Sequence, residues 1–140
     1  MLLVVDANIV MAALIAGKGK TVDLIFSEEI GIIAPEFLLE ELEGHKSEIL
    51  AKSGLSEPEL GTQLALLQKR ITFIPLPEFE EKVDEAYGLS PDKDDVLYLA
   101  LGLKHDCGIW TNDKALKKQG AIKVYTTGEL VKKFAKSEDD

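Results

Sequence analysis

The chain opens on Leu2-Leu3-Val4-Val5, four apolar residues in a row, closed by Asp6. A strand with one wet face alternates apolar and polar side chains, whereas an unbroken apolar run is covered on both faces and belongs in a parallel sheet. Such a strand feeds a helix here from about Ala7 to Ile15, and the strand-then-helix unit then recurs. Lys18-Gly19-Lys20 breaks the pattern, Thr21 caps a second short helix, Gly31 to Ala34 reads as a strand, and Pro35 starts a helix reaching about Lys52. A helix from Glu57 to Arg70, a strand from Ile71 to Ile74, the breakers Pro75 and Pro77, and a helix from Glu78 to Tyr87 follow. Ser90-Pro91 starts the next helix. It is apolar on every side from Val96 to Leu103, so it should be central, and it leads into a strand from Gly108 to Thr111. A strand from Lys123 to Thr126 and a helix from Thr127 to about Ala135 complete the chain. This alternation predicts the α/β class: a three-layer α/β/α sandwich around a central parallel sheet.

The 140 residues, 46% of them apolar and without internal repeats, predict one domain over 1–140, with an acidic tail at about 137–140. Cys107 is the only cysteine. It sits in the apolar stretch Cys107-Gly108-Ile109-Trp110 and reads as a buried thiol. The apolar N-terminus is interrupted by Asp6 and preceded by no basic region, so it reads as neither signal peptide nor membrane span, and a cytoplasmic location is expected.

Four carboxylates, Asp6, Glu41, Asp95 and Asp113, each stand where an apolar segment meets polar residues. Asp6 and Asp113 follow strands, at the end where ligand sites form in open α/β sheets; capping of the next helix is the structural alternative for both. In the helix after Pro35, Leu38, Leu42 and Ile49 fall within about 40° of each other at about 100° per residue. Glu41 lies about 60° from Leu38, while Glu40 falls opposite the stripe; Glu36, Glu40 and Glu43 read as solvated charge. His45 shares the stripe with Glu41 and reads as a hydrogen-bonded residue at the core edge. Asp92, Asp94 and Asp95 fall in the first turn of the apolar helix, where negative charge suits the macrodipole, and periodicity does not choose among them.

Converging carboxylates repel one another until a cation compensates them. Oxygen donors without histidine or cysteine suit Mg²⁺ or Mn²⁺ rather than zinc. Such clusters hydrolyse phosphodiesters without a side-chain nucleophile, and the chain has no Gly-x-Ser-x-Gly, P-loop or dinucleotide fingerprint. The formal net charge of −9 argues against indiscriminate nucleic-acid binding, but its sign is uneven. Glu78 to Asp95 holds eight acids and two lysines, whereas Lys114 to Lys136 holds seven lysines and one acid. Cations therefore cluster just beyond the last acid, and Lys117, Lys118, Lys132 and Lys133 are candidates to guide phosphates.

Asp6-Ala7-Asn8 after an apolar strand, Glu41-Leu42 in an amphipathic helix, Asp95 before Val-Leu-Tyr-Leu-Ala-Leu-Gly-Leu, and Trp110-Thr111-Asn112-Asp113 resemble, in order and spacing, the four acidic motifs of PIN-domain ribonucleases. The resemblance spans Met1 to about Lys118. It implies a Mg²⁺ or Mn²⁺ site formed by Asp6, Glu41, Asp95 and Asp113 and used to cut single-stranded RNA. Asp95 becomes the third acid, with Ala100 and Gly102 as the small residues after it and Asp94 as fallback, and Asn8 and Thr111 would support the ligands by hydrogen bonds. Many members resemble VapC toxins, which implies an antitoxin partner and a homodimer; others process RNA. The competing readings are a haloacid-dehalogenase-type phosphatase using Asp6, weakened by Asn8 where a second acid belongs, a receiver-like domain lacking an acidic pair at the first strand, and a non-catalytic PIN-like scaffold that binds RNA or protein.

Overall fold

The computed structural model describes residues 1–138. The apolar runs become five parallel strands, β1 Leu2–Val5, β2 Gly31–Pro35, β3 Ile71–Ile74, β4 Gly108–Trp110 and β5 Val124–Tyr125, in the order β3-β2-β1-β4-β5. Leu3, Val4 and Val5 have no exposed surface, as an unalternating central strand requires. Helices α1 Ala7–Ala16, α2 Lys20–Ile25, α3 Phe37–Gly44, α4 Lys46–Ser53 and α5 Glu57–Arg70 precede β3, and α6 Val83–Leu89, α7 Val96–His105 and α8 Thr127–Glu138 follow it. Together with the sheet they form the expected α/β/α sandwich. The chain leaves β1 toward β2 and β3 on one side and reaches β4 and β5 on the other, so the order reverses between β1 and β4. The crevice above the carboxyl ends of those two strands is where open α/β sheets place ligands.

The all-apolar helix α7 is central, lying against β1, β2 and β4. A Cβ added at Gly102 would stand 3.3 Å from the Cys107 carbonyl oxygen and 3.5 Å from Ile109. The absence of a side chain there lets the helix sit closely on β4.

Four helix expectations need correction. The helix expected from Pro35 to Lys52 is two, because Gly44 ends α3 and His45 (φ −106°, ψ 13°) bends the chain before α4; Pro35 itself ends β2. Leu38, Leu42 and Ile49 are nevertheless all buried. The stretch from Leu76 to Lys82 forms two 3₁₀ turns around the buried Phe79, and only Val83–Leu89 is α-helical. Asp92, Asp94 and Asp95 precede α7 instead of forming its first turn: Ser90 Oγ donates to the Asp92 carbonyl, and Lys93–Asp95 forms a separate 3₁₀ turn. Gly19, not Thr21, caps α2. The acidic tail expected at 137–140 overlaps the end of α8, and its Asp139 and Asp140 lie outside the described residues.

At the opposite, amino-terminal edge of the sheet, Arg70 ties the connection from α2 to β2. Its guanidinium donates to the carbonyls of Ile25 (3.0 Å), Ser27 (2.8 Å) and Ile30 (3.3 Å). Removing it leaves partly buried carbonyls unpaired, so Arg70→Ala should lower stability by about 2–3 kcal/mol, a fall in Tm of roughly 5–12 °C in a thermal melt. An unchanged Tm would mean that water replaces the guanidinium at no cost.

Candidate functional site

Two strand ends and two helical elements meet above the β1–β4 crevice. Asp6, one residue past β1, is buried. Its Oδ1 accepts from the Ile9 peptide N–H at 3.1 Å, so it caps α1, and its Oδ2 accepts from the Thr111 hydroxyl. The sheet register makes this second bond: Val5 is opposite Trp110, which sets Thr111 beside Asp6. Thr111 Oγ1 accepts in turn from the Asp113 peptide N–H at 3.0 Å, so one fully buried hydroxyl joins the first and fourth acids. Asp113 Oδ1 caps the following 3₁₀ turn through the Ala115 N–H at 3.0 Å. Capping and a place at a ligand site were alternatives in the sequence; in the fold both aspartates cap the next element and both line one cavity.

Glu41 reaches the crevice from α3, half-buried as its angular position predicts, while Glu40 is exposed. Its Oε1 accepts from the hydroxyl of Tyr98, a buried residue of α7. Asp95 ends the 3₁₀ turn before α7. The residue as a whole is half-buried, yet its Oδ2 is sealed from solvent and has no hydrogen-bond partner. Asp94 is exposed, as is Asp92, whose Oδ1 accepts from the Asp94 N–H at 3.0 Å. Asp95 is therefore the member of the acidic triplet that faces inward.

Asp6, Glu41, Asp95 and Asp113 all line one cavity of about 220 Å³, together with Asn8, His45, Asp92, Asp94 and Tyr98. A larger cavity of about 480 Å³ between α2 and α8 holds none of these acids. Burial raises Asp6 above the ordinary carboxylate range, against the lowering hydrogen bonds from Thr111, Ile9 and Asn8 and with some help from the Glu41 charge. Burial likewise pushes Asp95 up to about 7, reinforced by the charges of Asp113, Asp92, Asp6 and Asp94. The Tyr98 phenol is raised by burial and by its bond to Glu41, so it stays a donor.

Asn8 departs from expectation. It is exposed, and its peptide N–H, not its side chain, bonds Asp6. His45 is likewise at the surface, 3.2 Å from Glu48. Tyr98 went unnoticed in the sequence, although a hydroxyl three residues after Asp95 in an otherwise apolar helix was the available signal. Lys117 bonds Glu129, whereas Lys118, Lys132 and Lys133 are exposed.

The side-chain donors around the cavity are dominated by carboxylate oxygens, the donor type of Mg²⁺ and Mn²⁺. Among the described residues no three His, Cys, Asp or Glu side chains already stand in a ligating arrangement. The residues fit an ion instead by their donor chemistry and by the unpartnered Asp95 oxygen, a group that is costly to bury without a donor or a cation.

The family model described as PIN domain matches residues 4–134. The chain belongs to the PIN domain family. Members are in general nucleases that use divalent metal ions, which sets aside the phosphatase and receiver readings of the strand-end aspartates. The structure of VapBC2 from Rickettsia felis bound to a DNA fragment from their promoter is similar in fold, with a TM-score of 0.64 at 15% identity over 90% of this chain and 98% of that one. A toxin-antitoxin complex from Klebsiella pneumoniae gives a TM-score of 0.61 at 16% identity, covering 89% of this PIN domain and 97% of the other chain. No curated protein sequence matches it significantly. Among the described residues no helix is long and apolar enough to cross a membrane.

The raised Asp95 has a consequence for stability. A carboxyl whose folded pKa of about 7 lies above the ordinary aspartate value of 3.8 binds protons better folded than unfolded. Its contribution is fully present below about pH 4 and is lost as pH rises through about 7; Asp6 acts in the same direction. With chelator present, Asp95→Asn should therefore raise Tm at pH 8 by a few degrees and leave it nearly unchanged at pH 4. Equal shifts at both pH values would show that the Asp95 charge carries no penalty.

Proposed function

We propose that this PIN domain hydrolyses phosphodiester bonds in single-stranded RNA, with Asp6, Glu41, Asp95 and Asp113 holding Mg²⁺ or Mn²⁺. The observation that carries the reading is the convergence of Asp6, Glu41, Asp95 and Asp113 on one cavity at the strand-order reversal, where the sealed Oδ2 of Asp95 is left without a hydrogen-bond partner. A bound Mg²⁺ or Mn²⁺ supplies the acidity that makes water a nucleophile near neutral pH and neutralises charge growing on the leaving oxygen.

The protein's own part is positioning. Thr111 holds Asp6 by its hydroxyl and the Asp113 loop by its oxygen, fixing two acids from different strands against each other. Tyr98 occupies Oε1 of Glu41 and leaves Oε2 as the free oxygen on that side. Such partners restrict how a carboxylate can turn, which is how groups behind a ligand tune a metal site. No nucleophilic side chain is needed for phosphodiester hydrolysis of this kind.

The fold neighbours from Rickettsia felis and Klebsiella pneumoniae are toxin-antitoxin proteins. That supports a toxin role for this chain with a protein antitoxin as partner; the second copy of itself rests only on the family resemblance.

Purified protein should cut single-stranded RNA with Mg²⁺ or Mn²⁺, stop with chelator, and resume on readdition. Asp6→Asn, Glu41→Gln, Asp95→Asn and Asp113→Asn should each cost at least about 100-fold, and Tyr98→Phe about 10- to 100-fold, as for groups supporting a ligand. Glu40→Gln should keep full activity. Cleavage that survives all four ligand substitutions would belong to a contaminant and leave a non-catalytic scaffold.

In a separate measurement Mn²⁺ at about a hundredfold excess over Kd should stabilise the fold by about 2.7 kcal/mol, several degrees in Tm, and Asp95→Asn should shrink that gain. No shift with either ion at millimolar concentration would remove the metal site.

A further inference from the structure

Five residues before Asp92, which lines the acidic cavity, stands an aromatic ring that packing does not explain. Tyr87, near the end of α6, is 55% exposed, the most exposed of the large apolar and aromatic side chains among the described residues. The Lys93 ammonium stands 3.4 Å from its ring centroid and 3.5 Å from its carbonyl oxygen. Lys93 lies between Asp92 and Asp94, which both line the cavity, yet it pairs with neither. Lys46, Lys52, Lys104 and Lys117, by contrast, each stand against a glutamate.

The connection that carries Lys93 is fixed at both ends. Ser90 is buried and its hydroxyl donates to the Asp92 carbonyl, while the Asp92 carboxylate accepts from the Asp94 N–H. Ring and ammonium thereby belong to the ordered connection that leads into Asp95, two residues past Lys93. An anionic polymer approaching six carboxylates needs local positive charge, and an unpaired strand offers base faces that a duplex keeps stacked.

We infer that Tyr87 and Lys93 form a nucleotide subsite at the rim of the cavity, where an unstacked base of single-stranded RNA lies on the face of the Tyr87 ring opposite Lys93 and the adjoining phosphate meets the Lys93 ammonium. The subsite rests on the ribonuclease reading above. It adds what that site lacks by itself, a means of choosing single strands: aromatic stacking accepts any base but only an exposed one. The lysine serves two roles, neutralising phosphate and ordering the ring by its cation–π contact.

The test is fluorescence anisotropy of a labelled single-stranded oligoribonucleotide, and of a duplex of the same sequence, with chelator present so that nothing is cut. Tyr87→Ala should weaken single-strand binding roughly tenfold, with Tyr87→Phe close to the unsubstituted protein and the duplex unaffected. Lys93→Gln should reduce the slope of log affinity against log salt by about one. Because Tyr87 is largely exposed, its variants should melt with the unsubstituted protein. If Tyr87→Ala binds the single strand undiminished, or loses duplex binding equally, the subsite is wrong even where metal-dependent cleavage is found. If binding falls as expected while no cleavage occurs with either ion, the subsite stands and only the ribonuclease reading fails.

Discussion

The pairing of β1 with β4 is the constraint on which the carboxyl edge of this protein depends. β1 is bonded on both sides, and its register against β4 sets Val5 opposite Trp110. The next residue of each strand, Asp6 and Thr111, then meets the other by necessity. A slip of one residue would turn every side chain of β4 to the opposite face, breaking the packing of Ile109 and Trp110 and removing Thr111 from Asp6. Such a slip is opposed by the complete burial of Val4, Val5, Ile109 and Trp110, so core packing holds the site's geometry.

Above that edge the protein accepts an electrostatic penalty. Asp6 and Asp95 are both raised by burial among other acids, and a sealed carboxylate oxygen has no donor. Neutral hydroxyls do the local work: Thr111 and Tyr98 each hold a carboxylate without bringing an opposite charge that would compete with a cation. A positive charge in place of either hydroxyl would offset the carboxylates and, on the proposed reading, compete with the metal ion. Local stability given up at a functional cleft is a common arrangement, and the well-packed sheet beneath it supplies the margin.

The carboxyl-terminal helix is joined to the same edge. The Trp110 indole N–H donates to Thr127 Oγ1 at 3.0 Å, Asn112 Oδ1 accepts from the Thr127 N–H at 2.9 Å, and Lys117 bonds Glu129. These contacts hold the loop that carries Asp113 from the side opposite Asp6. Lys117 thus gains a structural role that its place in a lysine-rich stretch did not reveal, because Glu129 is twelve residues away and comes near only when β5 turns the chain back. The burial of Leu130 in the core fixes α8 on its helical period.

Much of this was written in local pattern. Unbroken apolar runs gave the parallel strands, an all-apolar segment gave the central helix, and the apolar stripe separated Glu41 from Glu40. Each is a short-range consequence of periodicity and burial, so the linear order of residues suffices for it. Helix continuity was less legible: the bend at Gly44 and His45, the 3₁₀ turns around the buried Phe79 and the loop closed by the Ser90–Asp92 hydrogen bond interrupt segments whose apolar spacing alone reads as continuous helix. Periodicity also left Asp92, Asp94 and Asp95 equivalent, and it did not disclose the Tyr98–Glu41 bond, made between residues 57 apart. Only the tertiary structure decided these. Which oxygen is buried and which hydroxyl meets it depend on elements brought together by the sheet order and the packing of α7, and no local propensity encodes that meeting.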